Sequence, residues 1–487
     1  MAKILSIDLG ASNGRAILAE FDGKTINMRE LHRFPNDPVP VRGTLYWDVL
    51  RLLHEIRQSI SKAVNAGGFD YIGIDTWGVD FGLIGKDGGL LENPVHYRDN
   101  RTDSYQLLYK DIPQDEIYAS TGIQDMQINT LHQLAYLRRE KPELLARADR
   151  LLFMPDLLNY FLTGEMRTEY TIASTSALLD ARARDWDFGL IDRVGLDRRM
   201  FCRIVQPGTV CGELGADLRA ELGAPPAKVM CIASHDTASA VAAVPAGGPN
   251  FVYVICGTWS LLGTELPEPH IDARAARRNF TNEGGVNRTI RYLKNIMGTW
   301  LSQECRRQWA REGRAYSYDE LDAMAEAAPP FQSFIDVDAP DFIKPGDMPA
   351  RIRAYCRATG QRAPETEGEV IRCVVESLAL KCRHNLRAIE DTAGIRADSA
   401  NMVGGGIKSP FFCRSVAGAM GKAVHAGPVE ATALGSIALQ LIAAGEIAGV
   451  GEARRIIRDA GGMAEYEPGD AARWDDAYER FARLPLQ

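Results

Sequence analysis

The stretch Ile4 to Ala19, ILSIDLGASNGRAILA, constrains this chain more than any other. Two apolar runs rich in strand-forming residues flank a cluster of small ones, which is the pattern of a hairpin. Asp8 closes the first strand. Gly10, Ala11, Ser12, Asn13 and Gly14 form the turn, whose backbone N–H groups are available to an anion; that is one way to hold a phosphate tail without a lysine. Taken alone, the stretch also reads as an ordinary surface hairpin. A second copy bears on the choice: Phe251 to Glu265, FVYVICGTWSLLGTE, is again a strand, a small-residue turn at Gly257 and Thr258, and a returning apolar strand. Two such hairpins, one opening each half, predict two similarly built domains, 1–245 and 246–487, that present their turns to a shared cleft.

Nucleotide phosphates between two hairpins organise the actin, hexokinase and sugar-kinase superfold, so the expected class is α/β. No P-loop competes with that reading, because Lys408 in GGGIKS lacks the preceding glycine and Lys422 in GAMGKA lacks the following hydroxyl residue. The 487 residues, 46% hydrophobic and 25% charged, suit a soluble enzyme of two or three domains. A net charge of -8 argues against a nucleic-acid surface. In MAKILSIDLG, Asp8 comes too early for a secretory apolar core, so no signal peptide is expected. The apolar tract Ala431 to Val450 contains Gln440 and Glu446 and reads as a buried helix rather than a membrane span. Nine cysteines without a C-x-x-C pair or zinc spacing point to a cytoplasmic chain with reduced thiols.

Along the first half, Asp48 is expected to cap a helix with Leu50, Leu53, Ile56, Ile60 and Val64 on its buried stripe, stopped by Gly67-Gly68. The strand Tyr71 to Ile74 leads into DTWGVDF. Asp75 and Asp80 suit the diols of a sugar and Trp77 its C–H face, although a core tryptophan with turn-capping aspartates fits the same letters. From Asp115 to Leu162 helical pattern dominates, and Gly164 ends the last helix, which suggests an inserted lid or sugar-side subdomain.

In Val229 to Val244, VMCIASHDTASAVAAV, a strand ends at Ala233 and Ser234-His235-Asp236-Thr237 turn into a helix. Asp236 near that helix's N-terminus is expected to have its pKa lowered by the macrodipole and to stay ionised. There it can accept the proton of a hydroxyl attacking a γ-phosphate. The alternative is an aspartate that only caps the helix.

The motifs IDLGASNGR, IGIDTWGVDF, YRDNRT, MPDLLNYFLTG, EYTIAST, ASHDTASA, GTWSL, TNEGG, LKNIMGTWLSQE, VGGG and AGPVEATALG follow one another at consistent spacing through nearly the whole chain. Together they make the chain resemble the FGGY family of carbohydrate kinases. The resemblance implies two ribonuclease-H-like domains around a central ATP and sugar cleft, sugar on the N-terminal side with its inserted helices, nucleotide on the C-terminal side. It implies transfer of the ATP γ-phosphoryl to a small ketose, L-rhamnulose, with L-fuculose or L-xylulose as alternatives, and closure of the domains before chemistry. By motif it places Ala11, Ser12, Asn13, Gly14, Arg15 and Thr258 on the ATP phosphates, Gln303 and Gly405 on the nucleotide, and Asp8 on a Mg²⁺ ion through water. Gly78, His235, Asp236, Thr237 and Asn295 fall to the sugar, with Asp236 as the base. Where the family has Gln-Asn after the glycines this chain has Lys408-Ser409, and Ser436 replaces a family asparagine; both departures are expected on the nucleotide side. Cys356 and Cys373 recur at matching spacing in relatives and are candidates to pair, which a reducing cytoplasm disfavours. No membrane or nucleic-acid partner is implied, and monomer and homodimer stay open. The alternative of another class is a non-catalytic actin-fold sensor, against which the intact ASHDT speaks, since a sensor needs no base.

Overall fold

The computed structural model describes residues 2–248 and 250–486. Its first sheet comprises β1 (Ala2–Leu9), β2 (Asn13–Phe21), β3 (Ile26–Pro35), β4 (Tyr71–Thr76), β5 (Thr209–Glu213) and β6 (Lys228–Cys231), in the order β5-β6-β4-β1-β2-β3. The first three strands form an antiparallel meander, β4 lies parallel to β1, β6 parallel to β4, and β5 closes the edge antiparallel. The second sheet comprises β7 (Val252–Cys256), β8 (Trp259–Leu266), β9 (Thr281–Gly284), β10 (Ile290–Met297), β11 (Ala400–Val403), β12 (Val424–Ala426) and β13 (Ala464–Tyr466), in the order β9-β10-β8-β7-β11-β12-β13. Again a hairpin opens it: β7 and β8 are antiparallel, β11 is parallel to β7, β12 parallel to β11, and β13 antiparallel to β12. Strand for strand, β10-β8-β7-β11-β12-β13 repeats β3-β2-β1-β4-β6-β5. The duplication expected from two hairpins thus extends to whole sheets.

The chain forms two compact units, residues 1–243, 265–292 and 431–460 in one, and 244–264, 293–430 and 461–487 in the other. The expected division at 245/246 lies beside the first crossing. The further segments 265–292 and 431–460 return to the first unit, so no single cut separates the two.

Alternation along β1 settles what covers each face of the first sheet. Leu5, Ile7 and Leu9 join a core with Leu52, Ile56 and Ile60 of α1 (Val49–Asn65). The helix α2 (Asp236–Ala242) follows β6. Ile4 packs on the other side with Ala433, Ile437 and Leu441 of α3 (Ala431–Ala444). By the same alternation Asp8 belongs to the Ile4 and Ser6 face.

Asp48 does cap α1, its Oδ1 accepting from Arg51 N at 3.1 Å. Of the expected residues Ile56 and Ile60 are buried and Leu53 and Val64 pack partly buried against the same core, while Leu50 is 60% exposed; Val49, Leu52 and Ala63 complete the buried face. Val49-Leu50 and Leu52-Leu53 are adjacent apolar pairs, so spacing alone does not choose which member turns inward. The segment in which helical pattern was expected to dominate contains the helices Gln114–Thr121, Thr130–Glu140, Pro142–Arg147 and Met154–Thr163, and also a strand, Ala148–Phe153, antiparallel to Phe81–Gly85. Gly164 ends the last helix in the left-handed conformation, φ 78°. Among the described residues no helix is long and apolar enough to cross a membrane.

At Gly435, α3 approaches α2 so closely that a Cβ would stand 1.8 Å from the Ser239 carbonyl oxygen. Gly435→Val is therefore expected to force the helices apart and to destabilise the chain by about 1–3 kcal/mol, the usual cost of overpacking. A chemical-denaturation midpoint equal to that of the unsubstituted protein would show that the contact yields without cost.

Candidate active site

Three neighbouring parallel strands of the first unit end in carboxylates. Asp8 of β1 and Asp75 of β4 are register partners. Past β6, Ser234 O accepts from Thr76 N at 2.9 Å and His235 bridges to Thr76, which brings the residue after it, Asp236, into the same row. The carboxyl ends of parallel strands are where α/β sheets gather ligands.

The three acids are not alike. Asp8 has a cation: Arg15 donates to its Oδ2 from Nε at 2.9 Å and from Nη2 at 2.7 Å. Arg15, expected on ATP phosphates, is engaged with Asp8 from the paired strand. Asp75 is wholly buried and neither oxygen meets a donor among the described residues. Burial first, then the charges of Asp8 and Asp236, hold its carboxyl well above the usual range. Asp236 is the first residue of α2, with His235 at the cap position and no side-chain capping bond, so capping does not account for it. Its carboxyl is pushed up to about 6, chiefly by burial and also by Asp8, against the opposing pull of His235, the Thr237 N–H and Arg291. This corrects the expected lowering: burial outweighs the helix terminus.

Around Asp236 lies a polar cluster that the motif reading only partly anticipated. His235 Nε2 is 3.6 Å from Asp236 Oδ1, and its Nδ1 lies 3.3 Å from Glu283 Oε2 and 3.1 Å from Arg291 Nη2. Arg291, with no exposed surface, donates to Thr237 Oγ1 at 2.7 Å and to Gly284 O at 2.8 Å, and pairs with Glu283 Oε2 at 3.0 Å. Burial works to raise the Glu283 carboxyl, but Arg291 and then His235 prevail and hold it below the usual range. His235 and Thr237, both expected on the sugar, are thus oriented by Arg291 and Glu283. Glu283 stood in the quoted TNEGG without a role, and Arg291 had no signal beyond being an arginine in an apolar strand.

Gly78 is tightly placed, a Cβ there falling 3.2 Å from the Thr175 side chain. Trp77 and Asp80 do not form a sugar platform. Trp77 is buried against Trp47, ring centroids 3.9 Å apart, and Asp80 Oδ2 accepts from Trp47 Nε1 at 2.6 Å, Trp77 Nε1 at 3.0 Å and Tyr97 N at 3.1 Å. The core alternative holds for both: Asp80 ties indole and backbone donors together inside the first unit.

The turn tips differ in what fixes their glycines. In the first hairpin Gly10 N donates to Asn13 O at 2.9 Å, and Ala11, half-buried, with the exposed Ser12 and Asn13 forms the tip. Gly14 lies in β2, where a Cβ would fall 2.3 Å from the Phe34 ring, so packing by itself excludes a side chain. In the second unit Gly257 N donates to Trp259 O at 3.0 Å. Thr299 donates to Gly257 O from N at 3.0 Å and from Oγ1 at 2.8 Å, and Gln303 Nε2 reaches Thr299 Oγ1 at 3.0 Å. Thr258 and Gln303 are thereby brought together, with Asn295 just upstream on β10 in the same unit. Of the three glycines after β11, Gly404 has φ 92° and a Cβ would meet Cys256 O at 3.0 Å, while one on Gly406 would meet Cys256 Cβ at 2.7 Å. A Cβ on Gly405 meets nothing within 4 Å, so the space beside it is open to a ligand.

Lys408 is exposed, and Ser409 caps the helix Pro410–Met420 by accepting from Phe412 N at 3.1 Å. Ser436 is not on the nucleotide side. It is buried in α3, where its Oγ is 2.8 Å from Ser6 Oγ of β1, so this departure from the family pattern is a helix-to-sheet contact. All nine cysteines are buried free thiols. Those of Cys356 and Cys373 are hydrogen-bonded neighbours, which pushes the Cys373 thiol well up.

The model of the FGGY family of carbohydrate kinases matches residues 3–243 with its N-terminal domain and 252–444 with its C-terminal domain. The chain is 43% identical over 478 residues to a rhamnulokinase of Bacteroides thetaiotaomicron, covering 98% of each chain. It is 38% identical over 486 residues to that of Lactiplantibacillus plantarum, covering 99% of this chain and 98% of the relative, and 37% identical over 471 residues to that of Bacillus subtilis, covering 96% of each. Among solved structures it shares its fold with a ligand-bound xylulose kinase from Lactobacillus acidophilus, TM-score 0.82 at 18% identity, covering 99% of this chain and 97% of that one. A Plasmodium falciparum glycerol kinase with ADP gives a TM-score of 0.80 at 14% identity, covering 100% and 99%.

A carboxyl raised in the folded state favours that state below its unfolded value, near 4, and loses this contribution as pH rises through its folded value. A ¹³C-carboxyl titration of Asp236, assigned by the signal missing in Asp236→Asn, is expected to have its midpoint near pH 6. A midpoint below 4 would mean that the helix terminus and cationic neighbours outweigh burial.

Proposed function

We infer the activity from the premise that this chain belongs to the FGGY family of carbohydrate kinases: it transfers the γ-phosphoryl group of ATP to L-rhamnulose, giving L-rhamnulose 1-phosphate. The observation that carries the sugar is identity of 37–43% to rhamnulokinases over almost the full length of both chains. L-Fuculose and L-xylulose have no comparable support. The sensor alternative has none either, and the row Asp8, Asp75, Asp236 gives a reason to prefer an enzyme: three acids in three electrostatic situations suit chemistry better than passive binding.

In the proposed reaction the ketose hydroxyl gives its proton to Asp236 as its oxygen bonds to the γ-phosphorus and the bond to the ADP oxygen breaks. A carboxyl at about 6 is ionised at neutral pH, yet basic enough to take that proton. His235, Thr237 and Gly78 would contact the sugar from the first unit, with Arg291 and Glu283 fixing the first two. Asn295 is a further proposed sugar contact. Ala11, Ser12 and Asn13 at the tip, with Thr258, are proposed for the phosphates, and Gln303 and Gly405 for the nucleoside. Gly14 serves this turn by packing, and Arg15 by holding Asp8.

The residues fit a divalent cation that comes with the nucleotide. Among the described residues no ready-made set of three acidic, histidine or cysteine ligands converges, whereas Asp8 and the unpartnered Asp75 offer negative or polar oxygens at the strand ends. Asp8 is the proposed contact to Mg²⁺, through water. When bound, the ion neutralises charge on the transferred phosphoryl.

The test of the reading is ADP release measured across a panel of ketoses. L-Rhamnulose is expected to give the highest kcat/KM; a higher value for L-fuculose or L-xylulose would replace the sugar, and ATP turnover unstimulated by every ketose would remove the kinase reading. Asp236→Asn keeps shape but not basicity, so kcat is expected to fall about 10²- to 10⁴-fold at saturating substrates. Turnover within a few-fold of the unsubstituted protein would retire Asp236 as the base. Gly405→Val has room to fold unchanged, and is expected to keep its melting temperature while weakening ATP about tenfold, the scale of roughly 1.4 kcal/mol. Unchanged ATP affinity by calorimetry would take Gly405 out of the nucleotide site.

A further inference from the structure

The loop that carries Asp236 is fastened to a carboxylate that no motif reading singled out. Glu169 has no exposed surface and caps the short helix Tyr170–Ser174. Its Oε1 accepts from Thr171 N at 2.9 Å, and its Oε2 from Ile172 N at 3.1 Å and Thr171 Oγ1 at 2.6 Å. Capping explains those bonds. It does not explain that Oε2 also accepts from Ser234 N at 3.1 Å, or that Thr171 Oγ1 accepts from His235 N at 3.2 Å. These two N–H groups belong to the residues immediately before Asp236, some sixty-five positions along the chain. From the opposite side Ser234 O is held by Thr76 N at 2.9 Å. The backbone entering α2 is thus gripped by β4 on one side and by Glu169 with Thr171 on the other.

A carboxylate suits this position better than any neutral side chain. One buried group receives three backbone N–H donors and a hydroxyl, and an isosteric amide would have to turn its NH₂ toward one of those donors. Burial pushes the Glu169 carboxyl up to about 7, and its donors, Thr171 first, pull it back. Nearby Asp156, whose Oδ1 accepts from Glu169 N at 3.2 Å, is held well above the usual range by its own burial and by Glu169.

We propose that Glu169 is a positioning residue for phosphoryl transfer: with Thr171 it fixes the backbone of Ser234 and His235 and so sets where the Asp236 carboxylate stands against the sugar hydroxyl. The proposal rests on Asp236 as the base. In the full chain, Glu169→Gln is expected to lower kcat about 10- to 100-fold, the scale of a small misplacement of a reacting group, with KM for ATP within about twofold. On the Asp236→Asn background the same substitution is expected to cost less than about twofold more, because a residue acting through Asp236 has nothing left to position. Thr171→Val, which removes the hydroxyl between Glu169 and His235 while keeping shape, is expected to lower kcat in the same direction and to be silent on the Asp236→Asn background, and it serves if Glu169→Gln does not fold. Equal fold-losses on both backgrounds, or losses that track only the folded fraction in thermal melts, would make Glu169 a structural cap and overturn the proposal. Normal turnover by Asp236→Asn would instead bring down the base assignment, and this proposal with it.

Discussion

Like charges at the ends of adjacent parallel strands have to be neutralised, and the first unit does this differently for each of its three acids. Asp8 takes a cation from the next strand, Arg15, at 2.7 Å. Asp75 has its charged form disfavoured, because full burial beside Asp8 and Asp236 holds its carboxyl well above the usual range. Asp236, at the rim of the row with 26% of its side chain exposed, falls between these outcomes. One arginine therefore sorts three aspartates. The sorting also ranks Asp75 and Asp80 as bases: the first is wholly buried, and the second spends its oxygens on Trp47, Trp77, Tyr97 and Gln133.

Glycines follow the same division between structure and ligand. Gly14, Gly404, Gly406 and Gly435 each face an atom that a Cβ would strike, so their identity follows from the packing of hairpins, of the loop after β11 and of α3 on α2. Gly405 faces nothing in the chain. A run of three glycines shows in sequence only that small residues are needed. Which of them answers to packing and which leaves room for a ligand depends on what stands opposite, here Cys256 for the outer two.

Much of the fold was legible because it is written twice. The hairpins at Ile4 and Phe251 announced a duplicated α/β architecture, and the matching strand orders carry that duplication to the sheet edges. Local signals with one physical cause also came through, among them the Asp48 cap and the Gly164 helix stop. What did not come through depended on partners remote in sequence. The inward face of α1 hinged on adjacent apolar pairs, and the strand Ala148–Phe153 is defined by its pairing with Phe81–Gly85 rather than by its own letters. Ser436 looked nucleotide-facing by motif, yet its partner is Ser6, 430 residues away. In the site the acids and His235 were visible as motif letters. Glu283 and Glu169 stood in TNEGG and EYTIAST without a role, and Arg291 in no motif, since each matters through a contact made from another segment.

The Asp236 carboxyl shows why a residue's position on a helix is a weak guide to its protonation. A helix terminus is worth about 0.3–1 kcal/mol at ordinary exposure, less than one pKa unit, and α2 is only seven residues long. Burial can move a carboxyl by several units in the opposite direction. His235 and Arg291 offset part of that cost, but His235 also faces Glu283, and Arg291 is divided among Glu283, Thr237 and Gly284, so neither is given wholly to Asp236. The result is a carboxyl at about 6 rather than near 3 or above 8. At neutral pH a lower value would give a poor proton acceptor and a much higher one a group already protonated.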